Sequence, residues 1–201
     1  MSKGILKNPN HLSVYDVACI GVGEHGTLIN GKLSKAYDVW HSFLRRCYWK
    51  DYHASEKSYK NITVVKEWHN FQNFAKWFYN NYDFEIMKGW DLDKDILCPE
   101  CKIYSPETCC FVPAEINKFF CKSRLKTSTL PIGIKMNGSG FQAAINVGET
   151  KRIGKTFKLL VDAELFYKTE KEKYAKILAK KWKNLIPEEI NNKLINYKVE
   201  N

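Results

Sequence analysis

The stretch Leu92-Asp93-Lys94-Asp95-Ile96-Leu97, the turn Tyr104-Ser105-Pro106-Glu107-Thr108-Cys109 and the later Asn117 gather the side chains best suited to chemistry. Asp93 and Asp95 flank the Lys94 ammonium. Carboxylate and carboxamide oxygens are hard ligands that suit magnesium or manganese. A lysine is a cation at neutral pH, so Lys94 accepts a proton only if its pKa is strongly depressed. Asp95 is the other candidate base; a carboxylate is a weak one, but a metal-bound water needs less help. The same three residues also read as an ion cluster on a hairpin, with no chemistry at all. Next to them, Cys98-x-x-Cys101 has zinc-knuckle spacing, and Cys109 offers a third thiolate. Cys110 adjoins Cys109, and neighbours on a strand point to opposite faces, so only one of that pair joins the set. A second C-x-x-C is missing, and reduced, partly buried thiols are the competing reading.

The elements that must position these groups follow from apolar spacing. Residues 13–20 are β-type, glycines at 21, 23 and 26 break them, and residues 27–29 can return to pair, with Asn30-Gly31 as a turn signal. Ser34 can cap a helix whose apolar stripe is Ala36, Trp40, Phe43, Leu44 and Cys47. Residues 50–60 lack a period and read as a loop. Val65, Trp68, Phe71, Ala75 and Phe78 fall on one face of a further helix, an aromatic stripe best assigned to packing. Residues 122–130 form a basic connector, which divides the chain into 1–121 and 131–201. Beyond it, alternation predicts strands around Ile134, Phe141–Val147 and Ile153, turned at Asn137-Gly138 and Gly148. Ala163, Phe166, Tyr167, Tyr174, Ile177, Leu178 and Trp182 then form a long amphipathic helix, stopped by Pro187, with a last short helix at 188–197. The fold class is α+β: an N-terminal hairpin and helices, then a three-stranded antiparallel sheet packed on a long helix.

The bulk numbers set limits. A chain of 201 residues with 44% hydrophobic and 14% aromatic residues can bury a core, which excludes wholesale disorder. A net charge of +10 and a pI near 9.2 favour phosphate-bearing partners through a sequence-independent, salt-sensitive attraction. No apolar run approaches the roughly 18 residues of a membrane span, and no signal peptide is seen, so no membrane partner and a cytoplasmic location are expected. Seven cysteines, an odd count, argue against a fully paired secreted framework.

The segment around Asp93, the proline–glutamate turn at 106–107 and Asn117 resembles the HNH, or ββα-metal, endonucleases of phages and group I introns. The opening Tyr37-x-x-Trp40-x-x-Phe43-Leu44-x-Arg46-Cys47-Tyr48, with Trp68 and Phe71, is similar to the start of such phage proteins. The resemblance implies a hairpin at 91–113, a helix from Ala114, and one magnesium or manganese ion held by Asp93 and Asn117. Lys94 stands where the family has its catalytic histidine, and Thr108 where it has a structural asparagine. Catalytic duty would then fall on Asp93, Lys94 and Asp95, or the frame would hold DNA without cutting it.

The C-terminal strands and helix resemble the Apetala or ethylene-response-factor type DNA-binding domain, which lays a three-stranded sheet in the major groove. That resemblance points Lys135, Gln142, Asn146 and Arg152 at the bases, sets Lys151 and Lys155 on phosphates, and lets backbone approach closely at Gly154. Residue chemistry agrees: arginine pairs with guanine edges, glutamine and asparagine with adenine, and lysine with phosphate. The lysines of the long helix alternate with Glu170 and Glu172 and read mainly as a solvated face. The expected partner is double-stranded DNA. The expected function is a phage-type DNA-binding protein with an HNH-endonuclease-like fold, with metal-dependent nicking or cleavage of DNA left open; the alternative is an inactive DNA- or host-protein-binding module that blocks a host defence or repair enzyme, in the host cytoplasm.

Overall fold

A computed structural model of the chain describes residues 8–56, 59, 61–121, 129–148 and 150–199. It forms two compact units, Met1–Phe111 and Val112–Asn201. The fold class is α+β.

In the first unit, Leu28–Ile29 (β1) pairs antiparallel with Lys32–Leu33 (β2) about the Asn30-Gly31 turn. The expected pairing of residues 13–20 with 27–29 is not formed. Instead Val14 bridges Ala18 across a tight turn in which Tyr15 and Asp16 take φ of 53° and 60°, and Cys19 bridges Asn70. Asn30 and Gly31 both have positive φ, as a two-residue hairpin turn requires, so this turn closes the nearest residues on either side of it.

Ser34 caps Lys35–Tyr48 (α1), its Oγ accepting from Tyr37 N–H at 3.2 Å. The buried residues of α1 are Ala36, Trp40, Phe43, Leu44 and Cys47, the whole of the expected stripe. Lys50–Ser55 (α2) is helical where a loop was expected. Thr63–Val64 (β3) follows, and then the second expected helix comes in two pieces. A 3₁₀ turn, Lys66–His69, precedes Phe71–Asn81 (α3). Asn70 separates them because its side chain accepts from Gln72 N–H at 2.9 Å, which starts a new helix rather than extending the old one. Trp40 spans the break, donating from Nε1 to the Trp68 carbonyl at 2.7 Å. Phe43, Phe74 and Trp68 pack against one another with ring contacts of 5.0–5.9 Å.

Trp90–Asp93 (β4), Ile103–Tyr104 (β5) and Cys110–Pro113 (β6) come next. β5 lies parallel to β3, while β4 and β6 make a two-stranded sheet. The first unit ends within β6.

In the second unit, Ala114–Phe120 (α4) precedes Ile134–Asn137 (β7), Gly140–Val147 (β8) and Lys151–Phe157 (β9). These strands form an antiparallel sheet in the order β7-β8-β9. Leu160–Trp182 (α5) covers one face, burying Ile134, Ala143 and Ala163 with Phe141, Phe157 and Tyr167 packed around them. Pro187 precedes Glu188–Ile195 (α6), as expected. Ile177, counted in the amphipathic stripe, is exposed; Ala175 and Ala179 are buried instead. The first compact unit ends ten residues before the expected limit at 121, because α4 docks on α5. Phe119 meets the Tyr174 ring at 5.9 Å and the Tyr197 ring at 4.7 Å, and Glu115 accepts from Trp182 and Lys181. Within the expected connector at 122–130, residues 122–128 lie outside the described residues.

Candidate nucleic-acid interface

Directly opposed residues of an antiparallel pair point to the same face, so the register sorts the polar side chains of the sheet. Lys135 opposes Gln142, Gln142 opposes Thr156, and Asn146 opposes Arg152. Lys135, Gln142, Asn146 and Arg152 therefore share the face turned away from α5, joined by Asn137 and Thr156. Asn137 donates from Nδ2 to Thr156 Oγ1 at 3.2 Å, passing over Gly140 in the middle strand. Ala144 opposes Gly154 at the centre of this face. A Cβ on Gly154 would sit 3.0 Å from the Ala144 Cβ, so glycine leaves a shallow trough in which the backbone is open. Lys135, Asn146, Arg152, Gly154 and Thr156 are all exposed. None of the six polar side chains is acidic.

Lys151 and Lys155 do not belong with them. Lys155 opposes the buried Ala143 and Lys151 opposes Val147, so both fall on the side covered by α5. They project from the edge strand, and the Lys155 ammonium lies 5.3 Å from the centre of the Phe157 ring. Two-residue alternation from Arg152 leads to Gly154 and Thr156. The same rule adds Thr156 to this face; the phosphate role expected of the two lysines does not require them to lie on it.

The order strand, strand, helix implied for the nuclease-like element is present as β4, β6 and α4. Its chemistry is arranged otherwise. Asp93 Oδ1 accepts from the backbone N–H groups of Asp95 and Ile96, both at 2.8 Å, and so caps the turn after β4. Burial pushes the Asp93 carboxyl above its usual range, against those two N–H groups and the Lys94 ammonium. Lys94 is not solvated: it is 5% exposed, ion-paired with Asp95, and its ammonium lies 5.8 Å from the Tyr104 ring centre. Asn117 sits in the second unit, where its Oδ1 accepts from the Cys121 thiol at 3.8 Å. Thr108, in the place of the family's asparagine, holds the turn together by accepting from Ser105 N–H at 3.1 Å and donating to the Ile103 carbonyl at 2.8 Å. At Asp93 itself the surroundings do not favour a divalent cation, because one carboxylate oxygen is committed to backbone and the Lys94 ammonium stands nearby. Among the described residues, no three His, Cys, Asp or Glu side chains are grouped as a metal would require.

The expected zinc set is also corrected. Cys98 and Cys101 are joined in a disulfide, with Cα atoms 5.3 Å apart, so neither is a thiolate. Cys109 is buried, and that burial pushes its thiol up to about 12. With Cys98 and Cys101 bonded to each other, Cys109 lacks the two thiolate partners of the expected set.

Three of the six lysines of α5 have the following partners. Lys173 pairs with Glu170 and Lys181 with Glu115. Lys171 is the one whose role the sequence did not disclose. Its ammonium donates to the Phe119 carbonyl at 2.9 Å, at the end of α4, and lies 3.9 Å from the Phe119 ring centre. Burial lowers its pKa to about 8. No helix among the described residues is long and apolar enough to cross a membrane. No protein-family model, curated protein or solved structure matches the chain.

Proposed function

We propose that this chain is a phage-type DNA-binding protein, acting in the host cytoplasm, that docks the open face of the β7-β8-β9 sheet on duplex DNA. One observation carries the reading: Lys135, Gln142, Asn146 and Arg152 share an exposed face that shows no carboxylate among the described residues, opposite the side covered by α5. Two strand spacings make that face about 10 Å wide, against a major groove of about 12 Å. Arginine, glutamine and asparagine there match the donors and acceptors of guanine and adenine edges. The HNH-like order of β4, β6 and α4 serves in this reading as a scaffold that does not cut. The commitment of Asp93 to the backbone and the burial of Lys94 support that choice.

Binding is tested by fluorescence anisotropy with duplex DNA across salt concentrations. Arg152→Ala and Gln142→Ala are expected to weaken binding by about 1–3 kcal/mol each on the duplex the protein prefers. Affinity that ignores salt, or that survives both substitutions unchanged, would favour a host protein as the partner and overturn the DNA reading. Scaffold duty is tested with supercoiled plasmid in magnesium or manganese. Nicking by the wild type that Asp93→Asn abolishes would show a cutting centre instead.

A further inference from the structure

The end of α1, with Tyr52 of α2 and the rings of Tyr59 and Tyr104, carries a ladder of cations and rings. Arg45 Cζ lies 5.7 Å from the Tyr52 ring centre, and Tyr52 meets Tyr59 edge-on at 5.6 Å. Arg46 Cζ lies 5.9 Å from the Tyr59 centre and 5.7 Å from that of Tyr104. Lys94 approaches the same Tyr104 ring, one face of which is taken by Phe43, stacked at 5.1 Å. Three cations thus line one run of rings, and only Lys94 has its carboxylate, Asp95. Among the described residues, neither Arg45 nor Arg46 forms an ion pair. Arg46 Nε is buried and has no hydrogen-bond partner.

That arrangement is costly as it stands. Arg46 is half-buried, and its Nε–H, a buried donor without an acceptor, loses its hydration for nothing. The buried thiols and the phenol nearby do not supply the missing charge. Burial pushes the Cys47 and Cys109 thiols up to about 12, and raises Tyr104 as well, so all three are neutral at physiological pH. Ring faces attract the guanidinium but accept no N–H in its plane. What is missing is an oxyanion. A planar guanidinium matches two oxygens of one tetrahedral anion, and two adjacent arginines that form no ion pair suit a dianion better than a single carboxylate.

We propose that Arg46 is an oxyanion site that takes a phosphate group, with Arg45 at its rim and Tyr59 and Tyr104 holding the guanidinium plane. The phosphate comes either from a DNA backbone or from solution. Thermal melting with inorganic phosphate, against chloride at matched ionic strength, tests the site directly. The wild type is expected to gain a saturable rise in melting temperature, and Arg46→Lys to need about ten-fold more phosphate for the same rise. Should that variant not fold, the buried Arg46 Nε–H signal of the wild type, followed by ¹⁵N NMR, is expected to shift on adding phosphate and not on adding chloride. Duplex binding separates the two sources. A fall of about ten-fold in the affinity of Arg46→Lys, with a salt slope smaller by about 0.9, assigns the phosphate to a DNA backbone. Unchanged duplex binding with a lost phosphate response assigns it to solution. No phosphate-specific rise, no Nε shift and unchanged duplex binding together would overturn the site. The phosphate arm needs no DNA, so its outcome is separate from that of the sheet variants.

Discussion

At the scale of single residues, the polar groups that sequence reading assigned to catalysis are spent on local structure. Asp93 is the plainest case. Its Oδ1 caps a turn, so Asp93→Asn should leave stability nearly unchanged, because the carboxamide oxygen accepts the same two N–H groups. Asp93→Ala should cost about 1 kcal/mol in urea unfolding, the usual loss of a capping side chain. Equal costs for the two variants would show that charge, and not the acceptor, is what matters at this position. Lys171 gives a prediction with a sign in pH. The folded protein releases its proton near pH 8, while the unfolded chain keeps it to about 10.5. Between those values the unfolded state binds more protons, so stability rises with pH. Relative to Lys171→Met, which keeps the volume and does not titrate, the wild type should gain about 2 kcal/mol from neutral pH to pH ~10.5, after allowance for the solvent that still reaches the amine. The Phe119 ring favours the ammonium and works against the shift. A difference that stays flat with pH would mean that the ring and the carbonyl outweigh burial.

At the scale of elements, the strongest signals in the sequence were those in which one periodicity governed a whole segment. The α1 stripe and the β7-β8-β9 alternation were legible because each side chain there answers to one core. What failed was local competition. Asn70 interrupts an apolar stripe that spacing alone would continue, since a side-chain acceptor for Gln72 N–H outweighs one more helical turn. The C-x-x-C pair was legible as a pair, but spacing cannot choose between a metal and a disulfide. Nor could composition reveal that Arg46 is half-buried among rings, because it lies just off the apolar stripe of α1. Gly133 is the element-scale test. It enters β7 with φ of +82°, and a Cβ there would fall 2.0 Å from the Tyr167 ring that α5 lays over it. Left-handed backbone alone costs an alanine about 1–2 kcal/mol, and the ring must also move. Gly133→Ala should therefore lower thermal stability by more than about 2 kcal/mol, whereas Gly138→Ala, with open space around its Cβ, should cost only the backbone part. Equal losses at the two positions would mean that Tyr167 does not hold the sheet to the helix.

At the scale of the molecule, charge and packing divide along the same line. Val112–Asn201 carries 18 Lys and Arg against 9 Asp and Glu, while Met1–Phe111 carries 14 against 13. Nearly all of the net positive charge thus belongs to the unit that holds the sheet. A long-range field of that kind sets the salt dependence of binding to a polyanion. A fragment of residues 112–201 should therefore retain most of the full chain's slope of log affinity against log salt. A slope halved or worse would place the main phosphate contacts in the first unit and weaken the case for the sheet. The same fragment also decides where the unit begins. Trimming to residues 131–201, the limit read from the basic connector, removes α4, and with it the Phe119 ring packed on Tyr174 and Tyr197 and the carbonyl that accepts from Lys171. Burial of one phenylalanine is worth about 2–3 kcal/mol, and each kcal/mol moves the melting point of a domain this size by about 4–8 °C. The shorter fragment should melt roughly 10–20 °C below the longer one, with less cooperative unfolding. If both melt together, α4 is a passenger, and the unit begins at the strands rather than at the helix that the nuclease-like order shares with it.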